Sequence, residues 1–208
     1  MRGALATWGL KVDDISVVSC HGTSTIKNEL NECSVIQEQM TQLGRTKGNP
    51  LLAVFQKHLT GHPKGAAAAW MINGALQIMD SGSIPGNRNA DNIDSALEKF
   101  DHIVSPNETI QSSQDVNAIL VNAFGFGQKG AQAIVVHPKY LFAAAGKEVY
   151  ETYREKVRKR QMKADQHFVK AMITDSVFKA KTEPPYSKEE ETEWLTNLDA
   201  RLPMDAKL

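Results

Sequence analysis

Short apolar runs alternate with longer stretches of helical spacing along the first part of the chain. Ile15 to Cys20 reads ISVVSC, a strand-sized buried run that passes at once into the polar HGTST. Asn28 to Leu43 places Leu30, Cys33, Ile36 and Met40 on one helical face, and Gly44 offers a helix end. Leu51 to Phe55 is a second strand-sized run and leads into KHLTGHPKG. Pro63 to Met79 predicts another helix, with Pro63 suited to the first turn, where a missing N–H costs little. Trp70, Ile72, Leu76, Ile78 and Met79 make that helix apolar on most sides, as expected of a buried one.

Beyond residue 80 the pattern loosens. Asn87 to Asp115 is polar and irregular, with little periodicity. Ala118 to Val121 and Ala131 to Val136 read as strands, and the FGFGQKG between them predicts a hairpin-like return. From Lys147 the chain turns charged. Val149, Tyr150, Tyr153 and Val157 make a helix-like stripe, and Arg154 to Lys163 is strongly basic. A solvated helix face is the plain reading of that stretch; docking of an acidic carrier protein is the functional one. Glu183 to Leu208 reads as a linker or docking tail. No internal repeat is visible. The alternation of strand and helix argues for an α/β architecture over residues 1–140, followed by a mostly helical or irregular extension over 141–208.

Composition narrows the classes. A chain of 208 residues with 24 basic and 24 acidic side chains has no net charge to draw it to nucleic acid or to an anionic membrane. Its two cysteines, Cys20 and Cys33, form no CxxC pair or metal-like cluster, so reduced, packed thiols and no metal are expected. No run approaches the ~20 apolar residues of a membrane span, and Met1 to Leu10 does not read as a secretory signal. A cytoplasmic protein is expected.

Three segments carry candidate chemistry. His62 stands at the mouth of the helix that Pro63 opens. The positive end of a helix disfavours a second positive charge, so a neutral imidazole is expected, able either to cap the helix or to donate to a developing oxyanion. His21 follows a buried strand. Gly22 lets another group approach the backbone, and the hydroxyls of Thr23, Ser24 and Thr25 either bind a polar, extended ligand or make an ordinary turn. Phe124-Gly125-Phe126-Gly127 puts aromatics between flexible hinges, in a moving loop or in a glycine-rich hairpin with one core Phe. Two other patterns mislead. Gly125, Gly127 and Gly130 fit G-x-G-x-x-G, but a strand rather than a helix follows, which argues against a dinucleotide site. Cys20 and His21 are adjacent on a strand, so they point to opposite faces and make a poor nucleophile and base.

Taken together, HGTST, K-x-x-x-GH and GFG occur in the order found in the C-terminal half of the β-ketoacyl synthases, which have the thiolase-like layered αβαβα fold. The chain resembles that family over Ile15 to Pro138. The wording QKHLTGHPKGAAAAW and NAFGFGQKGAQAIVVHPKY is most similar to the condensing domain of fungal-type fatty acid synthase α subunits. The tail from Tyr140 also looks like the region that follows that domain. The resemblance implies decarboxylative Claisen condensation of an acyl group with a malonyl group carried on acyl carrier protein. It implies that His21 and His62 are the two catalytic histidines and Lys57 the active-site lysine. Thr23 and Thr25 match positions that bind the pantetheine arm. Phe126 matches the gating phenylalanine, whose N–H completes the oxyanion hole, with Phe124, Gly125 and Gly127 in the same loop. Many relatives carry a glutamate partner for the lysine in the following helix; Met71 stands there in this chain, and Glu32 is the alternative partner.

No cofactor of the chain's own is implied, since the phosphopantetheine arm of the carrier delivers substrate. The partners implied are the N-terminal half of the condensing domain, the carrier protein, and a second condensing domain within a large α/β complex. The family's nucleophilic cysteine lies in that N-terminal half, and neither Cys20 nor Cys33 matches it. The chain is therefore expected to be a fragment, a processed piece or one half of a split sequence, inactive alone. A polyketide synthase condensing domain, a non-catalytic scaffold and a thiolase are the competing readings. The thiolase needs a second cysteine near its C-terminus, and none follows Cys33.

Overall fold

A computed structural model describes residues 1–125, 127, 129–178, 182–183 and 187–196. The chain divides into two compact units, Met1–Gly146 and Lys147–Leu208.

The first unit opens with a short helix, α1 (Arg2–Ala6), then β1 (Ile15–Ser19), α2 (Ile26–Leu43), β2 (Leu51–Val54), α3 (Lys57–Thr60) and α4 (Ala67–Ser81). There follow β3 (Ser83–Ile84), β4 (Ile103–Val104), β5 (Ile110–Gln111), β6 (Ala118–Phe124), β7 (Gly130–Val136) and α5 (Pro138–Ala144). Five strands form one sheet in the order β4-β2-β1-β6-β7. The pairs β4–β2, β2–β1 and β1–β6 are parallel; β6–β7 is antiparallel, with Phe124 opposite Gly130. The hairpin read from FGFGQKG is thus present. The last glycine of the G-x-G-x-x-G pattern opens a strand and not a helix.

Strand alternation sorts the core into two layers. Val18, Leu51, Ala53, Ala118 and Leu120 face Ile36 and Met40 of α2. Val17, Val54 and Ile119 face Ala75, Ile78 and Met79 of α4 on the other side. Burying both faces explains why β1, β2 and β6 read as continuous apolar runs rather than alternating ones. A sheet between helical layers is the mixed α/β, parallel-rich arrangement of the thiolase-like fold.

Several expectations shift. The helix predicted from Asn28 starts at Ile26, with Thr25 at its N-cap. The helix predicted over Pro63 to Met79 is interrupted: a 3₁₀ turn spans Lys64–Ala66, and α4 starts only at Ala67. KHLT, between the second strand and the predicted helix, is the short helix α3. Nor is α4 buried all round. Ala67, Met71, Ala75, Ile78 and Met79 are buried, but Trp70 is 50% exposed and Ile72 and Leu76 are exposed with it. An apolar composition does not by itself say which side has a neighbour.

The second unit holds α6 (Lys147–Ile173) and α7 (Lys188–Thr196). The helical stripe expected over 147–168 is real but longer, and α7 lies in the stretch read as a linker. Among the described residues, no helix is long and apolar enough to cross a membrane.

Candidate active site

Because β2, β1 and β6 run parallel, their carboxyl ends share one edge of the sheet. His21 follows β1, Lys57 follows β2 and Phe124 ends β6. The sheet reverses its strand order between β1 and β6, and such a switch point, at the carboxyl ends, is where open α/β sheets bind ligands. Topology therefore gathers three segments that are far apart in sequence.

His21 is 7% exposed. Its ring stands edge-to-face with that of His62, centroids 5.2 Å apart, and 6.3 Å from the Phe124 ring. Burial, the Lys57 charge and His62 together lower the pKa of His21 from 6.5 to about 4. The imidazole is neutral at neutral pH.

The backbone of this turn is held by a buried carboxylate. Glu32, 0% exposed, accepts the His21 N–H at 2.7 Å and the Gly22 N–H at 2.9 Å. Asn122 Nδ2, two residues before Phe124, donates to the same Glu32 at 2.8 Å. One side chain thus ties the β1 turn to the end of β6. Burial raises the Glu32 pKa, while the bonds from Gly22, His21 and Asn122 oppose the rise. The sequence suggests Glu32 only as a partner for Lys57. The missed signal is the i, i+4 spacing of Glu32, Ile36 and Met40, which sets a carboxylate on the buried stripe of α2.

Lys57 is buried, and its ammonium donates to the His21 C=O at 2.5 Å and lies 3.7 Å from Met71 Sδ. No Lys57–Glu32 ion pair forms among the described residues, because Glu32 is committed to backbone N–H groups. The two still interact at longer range: desolvation lowers the Lys57 pKa, and the Glu32 charge opposes that. Met71 does occupy the place facing the lysine.

His62 is exposed, in the loop between α3 and the 3₁₀ turn. It does not sit at the mouth of a long helix, so the helix-field argument for its neutrality does not hold. A local bond orients it instead: the Lys64 N–H donates to His62 Nδ1 at 3.3 Å. With Nδ1 accepting, a neutral ring carries its hydrogen on Nε2. The capping and donor readings of this histidine are therefore compatible.

Gly22 has φ +43°, and a Cβ there would lie 2.5 Å from Phe55 Cδ1. The close approach allowed by this glycine is made by Phe55. The Thr23 and Thr25 hydroxyls are 3.3 Å apart, with Thr25 exposed and Thr23 half-buried. Phe124 is buried. The Gly125 N–H donates to the Lys129 C=O at 3.0 Å, and Gly127 has φ +77°. Phe126 lies outside the described residues. Cys20 is buried in the α2-side core, and burial raises its pKa, so it is no thiolate nucleophile. Among the described residues, no group of three His, Cys, Asp or Glu side chains gathers to hold a metal. A separate cleft of about 430 Å³ lies beside α4, lined by Trp70, Gly74, Leu59 and the buried Ser19, but neither His21 nor His62 lines it.

Residues 1–91 match the model of the β-ketoacyl synthase C-terminal domain. The chain is 55% identical over 207 residues to fatty acid synthase subunit alpha of Penicillium patulum, covering 100% of this chain and 11% of that one. It is 51% identical to the same subunit of Saccharomyces cerevisiae, also covering 100% of this chain and 11% of the relative. The chain thus spans about a tenth of the length of these relatives. Among solved structures, the ketosynthase FabY of P. aeruginosa matches with TM-score 0.67 at 20% identity, over 78% of this chain and 25% of that one. The ketosynthase from module 6 of the bacillaene synthase of Bacillus subtilis 168 matches with TM-score 0.55 at 20% identity, over 64% and 24%. Residues 1–91 are thus similar to the β-ketoacyl synthase C-terminal domain, within a segment similar along its whole length to fungal fatty acid synthase α subunits.

Proposed function

We propose that this chain supplies the histidine half of the condensing site of a fatty acid synthase, acting as 3-oxoacyl-[acyl-carrier-protein] synthase within the intact subunit. The observation that carries the reading is the pair of rings, His21 and His62, 5.2 Å apart beside a buried ammonium. In the proposed reaction an acyl group rides as a thioester on a cysteine outside this segment. The C–C bond to the malonyl carboxylate breaks, CO₂ leaves, and the electron pair passes to the thioester as an enolate. The enolate carbon then bonds to the acyl carbonyl, and the tetrahedral oxyanion collapses, expelling the cysteine thiolate. Both steps build negative charge on oxygen, where preorganised neutral donors act most strongly. A buried His21 with its pKa near 4 and a His62 whose Nδ1 accepts the Lys64 N–H, which leaves Nε2 as the donor of a neutral ring, fit that need. Burial and then the Lys57 charge keep His21 neutral, and the Lys57 ammonium holds its carbonyl. Thr23 and Thr25 are open to the phosphopantetheine arm, and the loop holding Phe124, Gly125, Phe126 and Gly127 gates the site.

The partners follow from the same reading: acyl carrier protein brings malonyl groups, and the rest of the condensing domain packs on the exposed side of α4, where Ile72 and Leu76 lie about 40° apart around the helix. The test is His62→Ala in the full-length subunit, with β-ketoacyl product measured from acyl and malonyl carriers. Loss of about 100-fold or more is expected for removal of one oxyanion donor. Unchanged condensation refutes the catalytic role and leaves a scaffold.

A further inference from the structure

We infer that Asn87 is a positioning residue for this site; the inference rests on the condensing reading given above. Asn87 lies in none of the three motifs, in the stretch that reads as polar and irregular. It is nonetheless 4% exposed, and all its side-chain hydrogen-bonding groups are used.

The reason lies at the end of β2. Strand pairing of β2 with β4 stops at Leu52–Val104, and Pro106 follows shortly after, bringing no N–H. The backbone groups of Ala53 and Phe55 on that side would be left without strand partners in a buried place, at a cost comparable to lost hydrogen bonds. Asn87 fills the gap. Its Oδ1 accepts the Phe55 N–H at 2.8 Å, and its Nδ2 donates to the Ala53 C=O at 2.7 Å and the Pro106 C=O at 3.0 Å. Its own backbone N–H donates to the Pro106 C=O at 2.7 Å. One amide side chain thus replaces a rung of the ladder. The segment is seated by close packing: a Cβ at Gly86 would lie 2.5 Å from the Asn107 carbonyl oxygen.

Phe55 is where the two histidine segments meet. Its ring packs against Gly22, the neighbour of His21. Two residues on, Lys57 donates to the His21 carbonyl. Between them, Gln56 Nε2 donates to the Trp70 C=O at 2.6 Å. Asn87 touches no reacting atom, but it fixes the backbone from which Lys57 and His62 are hung, and so the placement of His62 against His21.

The test compares Asn87→Ala and Asn87→Ser with His62→Ala in the full-length subunit. The readouts are kcat and KM for the malonyl carrier and hydrogen exchange over residues 55–62 and 15–20. Misplacing catalytic groups by about 1 Å is expected to lower kcat of Asn87→Ala about 10- to 100-fold. KM should stay within about threefold, since binding is not what is lost. Exchange should rise over 55–62 and stay unchanged over 15–20. Asn87→Ser, which keeps a hydroxyl, should lose less, and its kcat decides the matter if Asn87→Ala does not assemble. Unchanged kcat, or exchange rising equally in both segments, overturns the inference. Condensation surviving in His62→Ala overturns the site reading itself, whereas an inactive His62→Ala beside a fully active Asn87→Ala overturns the role of Asn87 alone.

Discussion

The two histidines are held in opposite ways. His21 is built into the protein: buried, its backbone N–H on a carboxylate, its carbonyl on an ammonium, its ring pushed to a pKa of about 4. His62 stands in an exposed loop and takes its orientation from a single N–H two residues on. One ring is enclosed by the fold, and the other is bonded by a near neighbour in sequence on a backbone that is itself fixed further back. The difference predicts that damage to the core reaches His21 first, and that the His62 loop can be moved without unfolding the sheet.

The largest effect should come from Glu32→Ala. It leaves the His21 and Gly22 N–H groups and Asn122 Nδ2 without their acceptor in a buried place, each at a cost of about 1–3 kcal/mol. Hydrogen exchange over 21–24 should rise sharply, with condensation lost, while residues 57–62 change little. Equal change in both loops would erase the contrast between the histidines. Gly22→Ala comes next. Its Cβ collides with Phe55, and its positive φ disfavours a side chain. A loss of about 1–3 kcal/mol in local stability is expected, as for other overpacked positions. Because Phe55 links the segments, this variant alone among the changes near His21 should disturb both loops.

Lys57→Met sharpens the electrostatic side. The pKa of His21 is lowered first by burial and then by the Lys57 charge, so removing the charge should raise it from about 4 toward 6.5. With a folded value below the unfolded one, the neutral ring contributes its full stability above pH 6.5 and loses it as pH falls toward 4. In Lys57→Met the loss still begins near pH 6.5, where the unfolded ring takes its proton, but it ends at higher pH and is smaller. Comparing its thermal stability and rate with wild type between pH 5 and 7 checks this; superimposable profiles would mean that Lys57 does not tune His21. The smallest effect is expected from Thr25→Ala. Among the described residues its exposed hydroxyl hydrogen-bonds only to that of Thr23, so the variant should fold normally and raise KM for the carrier substrate without lowering kcat.

The same contrast governs what was legible in the sequence. β1, β2, α2 and the β6–β7 hairpin follow from apolar period and glycine placement, because those elements are shaped by their own burial. The candidate histidines were legible through motif wording. The network behind them was not. Glu32 bonds residues about ten positions away and Asn122 ninety positions away, and no local pattern encodes such partners. Asn87 hid in a stretch whose polarity suggested solvent. The break before α4 was missed because Pro63 looked like a first-turn residue, although a 3₁₀ turn intervenes. The apolar outer face of α4 was read as buried because periodicity reports composition and not neighbours.

The central claim is that both rings act on negative charge at oxygen, and malonyl decarboxylation tests it most directly, since it isolates enolate formation from the attack on the acyl group. The measurement is CO₂ release from malonyl-loaded carrier by the full-length subunit, wild type against His21→Ala and His62→Ala. The account predicts a fall of about 100-fold or more in each variant, as for loss of an oxyanion donor. Decarboxylation within threefold of wild type in both variants would contradict it.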